Sequence, residues 1–273
     1  MSQASTNPND SFLTGRTAVV TGGCSGIGLA SARSLAQCGA RVAIGSRIGN
    51  RDQREVDAIR DSFSVYGQDV FLGHVDVCDS DSVATFVSAV RQRFDRVDIL
   101  VNSAGIAVQH AVAGHPDAPW NQVIETNLTG AFRMTRTVVA EMIERGWGRI
   151  INIGSTAATV GCEDNAAYCA SKAGLLGLTR CVALEGAPHG VSCVMISPTW
   201  VETKMMRDDT ELMAQREGAG RSSSDVIADI IADNPQNRMI QPEEIAATVI
   251  FLCREEAFGM SMDNIQVTGG ALW

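Results

Sequence analysis

Basic side chains, tyrosine and histidine are all scarce in this chain, and each shortage removes a class of function. Lys and Arg together number 22 against 31 Asp and Glu, for a net charge of −9. That balance argues against a surface that concentrates the basic groups a nucleic-acid backbone or an anionic membrane requires. A small-molecule partner is expected, with no nucleic acid and no membrane. Apolar runs are short, and none approaches the roughly 20 residues needed to cross a bilayer. The opening stretch from Met1 to Asn9 is polar and lacks the basic and apolar regions of a signal peptide. It reads as part of a loose tail, residues 1–12, on a cytoplasmic protein. The four histidines (His74, His110, His115 and His189) never fall at the i, i+4 spacing of a helical metal site. The eight cysteines contain no C-x-x-C pair and read as reduced, structural thiols. No metal is expected.

What remains is enough for one large core. At 273 residues and 45% hydrophobic content, the chain can bury roughly three quarters of its unfolded surface without disulfides or metal. A single domain over residues 13–273 is expected. From Thr17 onward, short runs rich in Val and Ile alternate with longer helical patterns, as in βαβ units around a parallel sheet. Strands are expected at Thr17 to Thr21, Arg41 to Ser46, Val70 to Asp76, Ile99 to Asn102, Arg149 to Ile153, Val191 to Ser197 and Asn264 to Val267. Val83, Phe86, Val87, Val90 and Phe94 recur at steps of three and four, one buried helix face between Asp79 and Phe94. Helices are also expected over Pro119 to Arg145 and Ala166 to Gly186. Pro242 opens another, since its missing N–H costs nothing in a first turn and Glu243 and Glu244 suit the positive helix end. Thr203 to Gln241 mixes Met, Asp, Arg, Gly and Ser without a buried-strand pattern and reads as a lid or binding segment.

Two places carry chemistry. After the first strand the chain runs Gly22, Gly23, Cys24, Ser25, Gly26, Ile27, Gly28 into a helix. Glycines there permit a tight turn and let a pyrophosphate reach the amides at the helix N-terminus. The chain has only two tyrosines and two lysines, so a chance Tyr-x-x-x-Lys arises about 1.5% of the time. Tyr168 and Lys172 have that spacing. Four residues apart on a helix they share a face, where the ammonium is expected to stabilise a phenolate and pull the tyrosine down from about 10 toward working pH, making a general acid and base. Ser155 follows the strand ending at Ile153, so its hydroxyl projects from the carboxyl edge where open α/β sheets bind ligands.

The T-G-x-x-x-G-x-G spacing from Thr21 to Gly28, with Ser155, Tyr168 and Lys172 in order, resembles the short-chain dehydrogenase/reductase family over almost all of residues 13–271. The resemblance implies a doubly wound, Rossmann-like three-layer α/β sandwich, with a seven-stranded parallel sheet in the order 3-2-1-4-5-6-7. It also implies an NAD(P)(H)-dependent oxidoreductase moving hydride between the nicotinamide and a small alcohol or carbonyl compound. Tyr168 would transfer the proton, Ser155 would hold the substrate oxygen, Lys172 would bind the nicotinamide ribose, and Asn127 would hold a water in the proton relay. Asn102, Ser103, Ala104 and Gly105 resemble the family's Asn-Asn-Ala-Gly element. Asp76 and Val77 match its adenine contact, and Pro198 and Thr203 bracket its nicotinamide segment, in which Thr199 replaces the usual glycine. Cofactor contacts are thus expected from Gly22, Ser25, Gly26, Ile27, Gly28, Asp76, Val77, Asn102, Ala104, Gly105, Tyr168, Lys172, Pro198 and Thr203.

NADP(H) is expected over NAD(H). The acidic residue that would hold a ribose 2′-hydroxyl is missing at Ser46, and Arg47, helped by Arg51, is placed to pair with a 2′-phosphate. Gln109, His110, Glu163, Trp200, Met205 and Met206 follow strand carboxyl ends and, with Ser155, are expected to form the substrate pocket. That mixture suits a small polar hydroxylated or keto compound. Family members commonly form homotetramers, which is expected here too. The alternative is a cofactor-sensing regulatory or scaffold protein on the same fold.

Overall fold

The computed structural model describes residues 11–50, 52–67, 70–218 and 220–271. Arg51 and residues 1–10 of the expected tail lie outside the described residues. In chain order the elements are β1 (Thr17–Thr21), α1 (Gly26–Gln37), β2 (Arg41–Ser46), α2 (Gln53–Asp61), β3 (Val70–His74), α3 (Ser80–Phe94), β4 (Ile99–Asn102), α4 (Asp117–Ile124), α5 (Gly130–Glu144), β5 (Gly148–Ile153), α6 (Ala166–Gly186), β6 (Val191–Pro198), α7 (Lys204–Glu217), α8 (Ser223–Asp233), α9 (Pro242–Leu252) and β7 (Asn264–Val267). Every strand pairing is parallel, and the sheet order is β3-β2-β1-β4-β5-β6-β7, as the resemblance implied.

Alternating side chains on each strand face opposite sides of the sheet, and both sides are covered. Ala18, Val20, Val42, Ile44, Ile99 and Val101 pack against α1 and α9, where Ala32, Leu35, Ile245 and Val249 meet them. Val19, Ala43, Leu100 and Ile150 pack against α3, α5 and α6 through Val87, Met134, Val138 and Val182. This double cover is why β1, β4 and β5 are buried at every position rather than at alternate ones. Between β4 and β5 the core is polar by design: Asn102 Nδ2 donates to Asn152 Oδ1 at 2.8 Å, and Asn152 Nδ2 donates to Thr179 Oγ1 at 2.9 Å.

Three expectations are corrected. β3 ends at His74 rather than Asp76, because the Asp76 carboxylate turns back to accept the Cys78 amide at 2.9 Å. The single helix expected over Pro119 to Arg145 is two, α4 and α5, joined by a π-helical turn at Glu125–Thr129; such turns recur at functional sites. The stretch expected as a lid or binding segment, beyond Thr203, is built of two helices, α7 and α8. Phe12, expected in the tail, packs on the core beneath Arg254, whose guanidinium carbon is 4.3 Å from the ring centroid.

Candidate active site

Sheet order reverses direction between β1 and β4, and the loops leaving their carboxyl ends part there to leave a crevice. A cavity of about 840 Å³ fills it, lined at one end by Gly22, Ser25, Gly26, Ile27 and Gly28 and at the other by Ser155, Tyr168 and Trp200.

The glycine turn is shaped by close approach. A Cβ on Gly28 would stand 2.5 Å from the Gly22 carbonyl oxygen, and Gly22 itself has φ +63 with the Ala104 backbone 2.9 Å from where a Cβ would be. From the other side Thr21 Oγ1 accepts the amides of Ser103 and Ala104 at 3.1 and 3.2 Å, fastening the β4 loop to the turn. Ser25 makes no side-chain capping bond and the first turn of α1 has no acidic residue. The positive helix end and its amides are thereby left to the cavity, which fits the pyrophosphate of a dinucleotide.

Ser155, Tyr168 and Lys172 share one wall of this cavity. Ser155 Oγ accepts the Ala157 amide at 3.1 Å, which fixes its rotamer and leaves its proton for another partner. Tyr168 is hydrogen-bonded to Ser155. Lys172 Nζ donates to the Ile153 carbonyl at 2.8 Å and lies 5.5 Å from the Tyr168 ring centroid. Asn127, from the π turn, is fully packed: its Oδ1 accepts the Ile106 amide at 2.8 Å, and its Nδ2 donates to the Ile106 carbonyl at 2.9 Å and to Ser171 Oγ at 3.0 Å. Gly105 separates Asn127 from Lys172. A Cβ there would be 3.4 Å from Asn127 Oδ1 and 3.7 Å from Lys172 Nζ.

The acidified tyrosine expected from the four-residue spacing is not what burial produces. Desolvation pushes Tyr168 up to about 12, with the Ser155 hydrogen bond opposing it and Asp209 adding to it. Lys172 is pushed down to about 8 by burial. In this protein alone the phenol is firmly protonated, and the lysine, though lowered, is still a cation at neutral pH. The Cys162 thiol in the cavity wall is pushed up to about 11 by burial beside Cys169, which keeps it a thiol.

Of the remaining expected residues, Ala104, Gly105, Pro198 and Thr203 line the cavity, as do Gln109, Glu163, Met205 and Met206. Thr203 also caps α7, its Oγ1 accepting the Met206 amide at 3.3 Å. Ser46, Arg47, Asp76 and Val77 lie beyond that lining, at the carboxyl ends of β2 and β3. Arg47 is exposed and Val77 is buried. Two expectations fail. His110 does not line the cavity: its amide donates to the Asp164 carbonyl at 2.7 Å, and its ring packs edge-on against His115 with centroids 5.0 Å apart. Asn102 is taken up by Asn152 and Thr135 inside the sheet layer, so it supports the β4 loop rather than the cavity. Residues that sequence reading missed are Asp209, Met213, Arg216 and Glu217. Their signal was the spacing of three and four with Met205 and Met206, hidden by the polar composition of α7. Among the described residues no group of His, Cys, Asp and Glu is placed to hold a metal ion.

Comparison with known proteins agrees with this geometry. The family model described as short chain dehydrogenase matches residues 16–213. The 3-oxoacyl-(acyl-carrier-protein) reductase FabG of Escherichia coli (strain K12) is 36% identical over 256 residues, 94% of this chain and 97% of that protein. D-beta-hydroxybutyrate dehydrogenase of Cupriavidus necator is 33% identical over 266 residues, 96% of each chain. Among solved structures, a variant actinorhodin polyketide ketoreductase with NADPH superposes with a TM-score of 0.88 at 35% identity, covering 94% of this chain and 97% of the other.

Proposed function

The chain belongs to the short-chain dehydrogenase/reductase family, and on that premise we propose that it reduces the carbonyl of a small polar hydroxylated or keto compound with NADPH. It is a nicotinamide-dependent oxidoreductase acting on CH–OH and C=O groups. The observation that carries the finer reading is the shared cavity, in which the glycine turn at the start of α1 and the Ser155, Tyr168 and Lys172 wall open into one space. A cofactor-sensing or scaffold role needs no such wall, and nothing in the site favours it.

A bound nicotinamide supplies the hydride. The chain's own residues handle the oxygen and the proton. A carbonyl oxygen seated between Ser155 and Tyr168 accepts from both hydroxyls, which hold it in line and oppose the charge that develops on it. Tyr168, a phenol at neutral pH, then gives its proton to that oxygen. Lys172 stabilises the phenolate left behind and, by the family pattern, holds the ribose hydroxyls. Asn127, fixed on both sides of Ile106, is the proposed anchor for the water that returns a proton through Lys172. Gly22, Ser25, Gly26, Ile27, Gly28, Ala104, Gly105, Pro198 and Thr203 would hold the cofactor, and Asp76 and Val77 its adenine. Gln109, Glu163, Trp200, Met205 and Met206 face the substrate.

Replacing Tyr168 with Phe removes the transferable proton and little volume. Turnover should fall by about 10²- to 10⁴-fold, while NADPH binding followed by nicotinamide fluorescence stays near wild type. Activity within a few-fold of wild type would reject the assignment. For the cofactor, Ser46 supplies no negative charge to repel a 2′-phosphate and exposed Arg47 stands next to it. Arg47→Ala should weaken NADPH at least tenfold more than NADH in paired titrations; equal losses would contradict the preference. A cytoplasmic location accords with eight cysteines that stand as thiols, and a homotetrameric assembly completes the reading.

A further inference from the structure

The outer wall of the cavity is one stripe of α7. Met205, Met206, Asp209, Met213 and Arg216 recur at steps of three and four and look onto the space that Ser155 and Tyr168 line. The stripe is apolar apart from Asp209 and Arg216, and Arg216 is already engaged. Its guanidinium donates to the Asp164 carboxylate at 2.7 Å and to the Gln109 carbonyl at 2.6 Å. The neighbours of Asp209 are committed as well: Asp208 takes the Lys204 ammonium at 2.6 Å, and Thr210 shares a hydrogen bond with Ser223 at 2.8 Å. The Asp209 carboxylate has neither a hydrogen bond nor an ion pair with any described residue. It is half-buried, and its charge reaches Tyr168.

A carboxylate held away from water without a partner is costly. Burial and the adjacent Asp208 push Asp209 up to about 6, so above neutral pH it still carries its charge. No other charged side chain of the cavity pairs with it. Lys204 and Arg216 are paired with Asp208 and Asp164, and Glu217 with Arg221, whereas Glu163 adds negative charge; the Lys172 ammonium, on the wall with Tyr168, is held by the Ile153 carbonyl.

We propose that Asp209 selects the substrate, its carboxylate accepting a hydrogen bond from a hydroxyl or ammonium borne near the reacting carbonyl and repelling compounds that carry a carboxylate or phosphate there. The inference rests on the functional reading above and names the substrate class for the same cavity. Selection of this kind is a difference in transition-state binding, made as much by rejecting the wrong charge as by holding the right group.

The test compares 4-hydroxy-2-butanone with acetoacetate, two ketones of equal carbon length that differ in hydroxymethyl against carboxylate, as substrates with NADPH above neutral pH. Wild type should favour the hydroxyketone by at least tenfold in kcat/KM. Asp209→Asn, isosteric and uncharged, should shrink that preference at least fivefold, chiefly by improving the keto acid. Asp209→Ala should in addition lower kcat/KM for the hydroxyketone through KM. NADPH affinity and thermal midpoint serve as controls for folding in both variants. A wild-type preference for acetoacetate, or an unchanged ratio in both variants, overturns the inference while leaving the functional reading intact. Failure of the wild type to reduce any carbonyl compound in a broad panel overturns the functional reading itself.

Discussion

Burial acts on Tyr168 and Lys172 in opposite directions, and the lysine bears a cost that can be measured. An ordinary lysine titrates near 10.5, whereas Lys172 is held near 8 in the fold. Between those values the unfolded chain binds a proton that the folded chain has lost, so stability rises with pH across this window. Below about 8 both states carry the cation and the folded protein bears its full desolvation. Lys172→Met, which keeps the stem and deletes the charge, should therefore raise the thermal midpoint of the cofactor-free protein by a few degrees at neutral pH, with the gain fading as pH approaches 10.5. Turnover should be lost at every pH. A midpoint that falls at neutral pH would show that the 2.8 Å bond to the Ile153 carbonyl outweighs the buried charge. A lysine kept at such a cost belongs to the chemistry of the site rather than to its stability.

The adjacent methionines of α7, Met205 and Met206, have two jobs, although both touch the cavity. Met206 is 4% exposed and Met205 39% exposed. Truncating the first leaves a void among packed atoms, at about 2–5 kcal/mol; truncating the second removes contacts only to the cavity and to solvent, about 0.5 kcal/mol or less. Met206→Ala should accordingly lower the denaturation midpoint clearly, while Met205→Ala should leave it alone and alter KM for the carbonyl substrate. Equal midpoints for the two variants would mean that the helix does not seat as described. The π turn between α4 and α5 is the second element whose form matters. By adding a residue to one turn it rotates Asn127 onto the Ile106 backbone, a position that the regular helix expected over Pro119 to Arg145 would not have provided.

Over the whole molecule, the helices that cover one face of the sheet leave apolar groups in the open. Phe132 on α5 is 41% exposed and Leu184 on α6 is 66% exposed, and we propose these apolar helix faces as a seam of the tetramer. Leu184→Asp combined with Phe132→Asp should reduce the mass measured by light scattering from four copies to fewer, with the far-ultraviolet circular dichroism unchanged. A wild type that already runs as a single copy would remove the tetramer from the reading.

By itself the sequence determined the α/β class, the start of each strand to within a residue, the order of the sheet once the family resemblance was admitted, and the Ser155, Tyr168 and Lys172 wall. These rest on local signals: period, glycine turns, and a Tyr-Lys spacing made legible by the rarity of both residues. Tertiary structure alone decided what depends on neighbours distant in the chain. His110 looked available until its ring met His115, and Asn102 looked like a cofactor contact until Asn152 claimed its amide. Asp209 looked like one more solvated charge in a polar stretch until α7 turned it inward. The direction of the Tyr168 shift was decided in the same way, because desolvation depends on everything packed around a group, whereas the four-residue spacing reports only one neighbour.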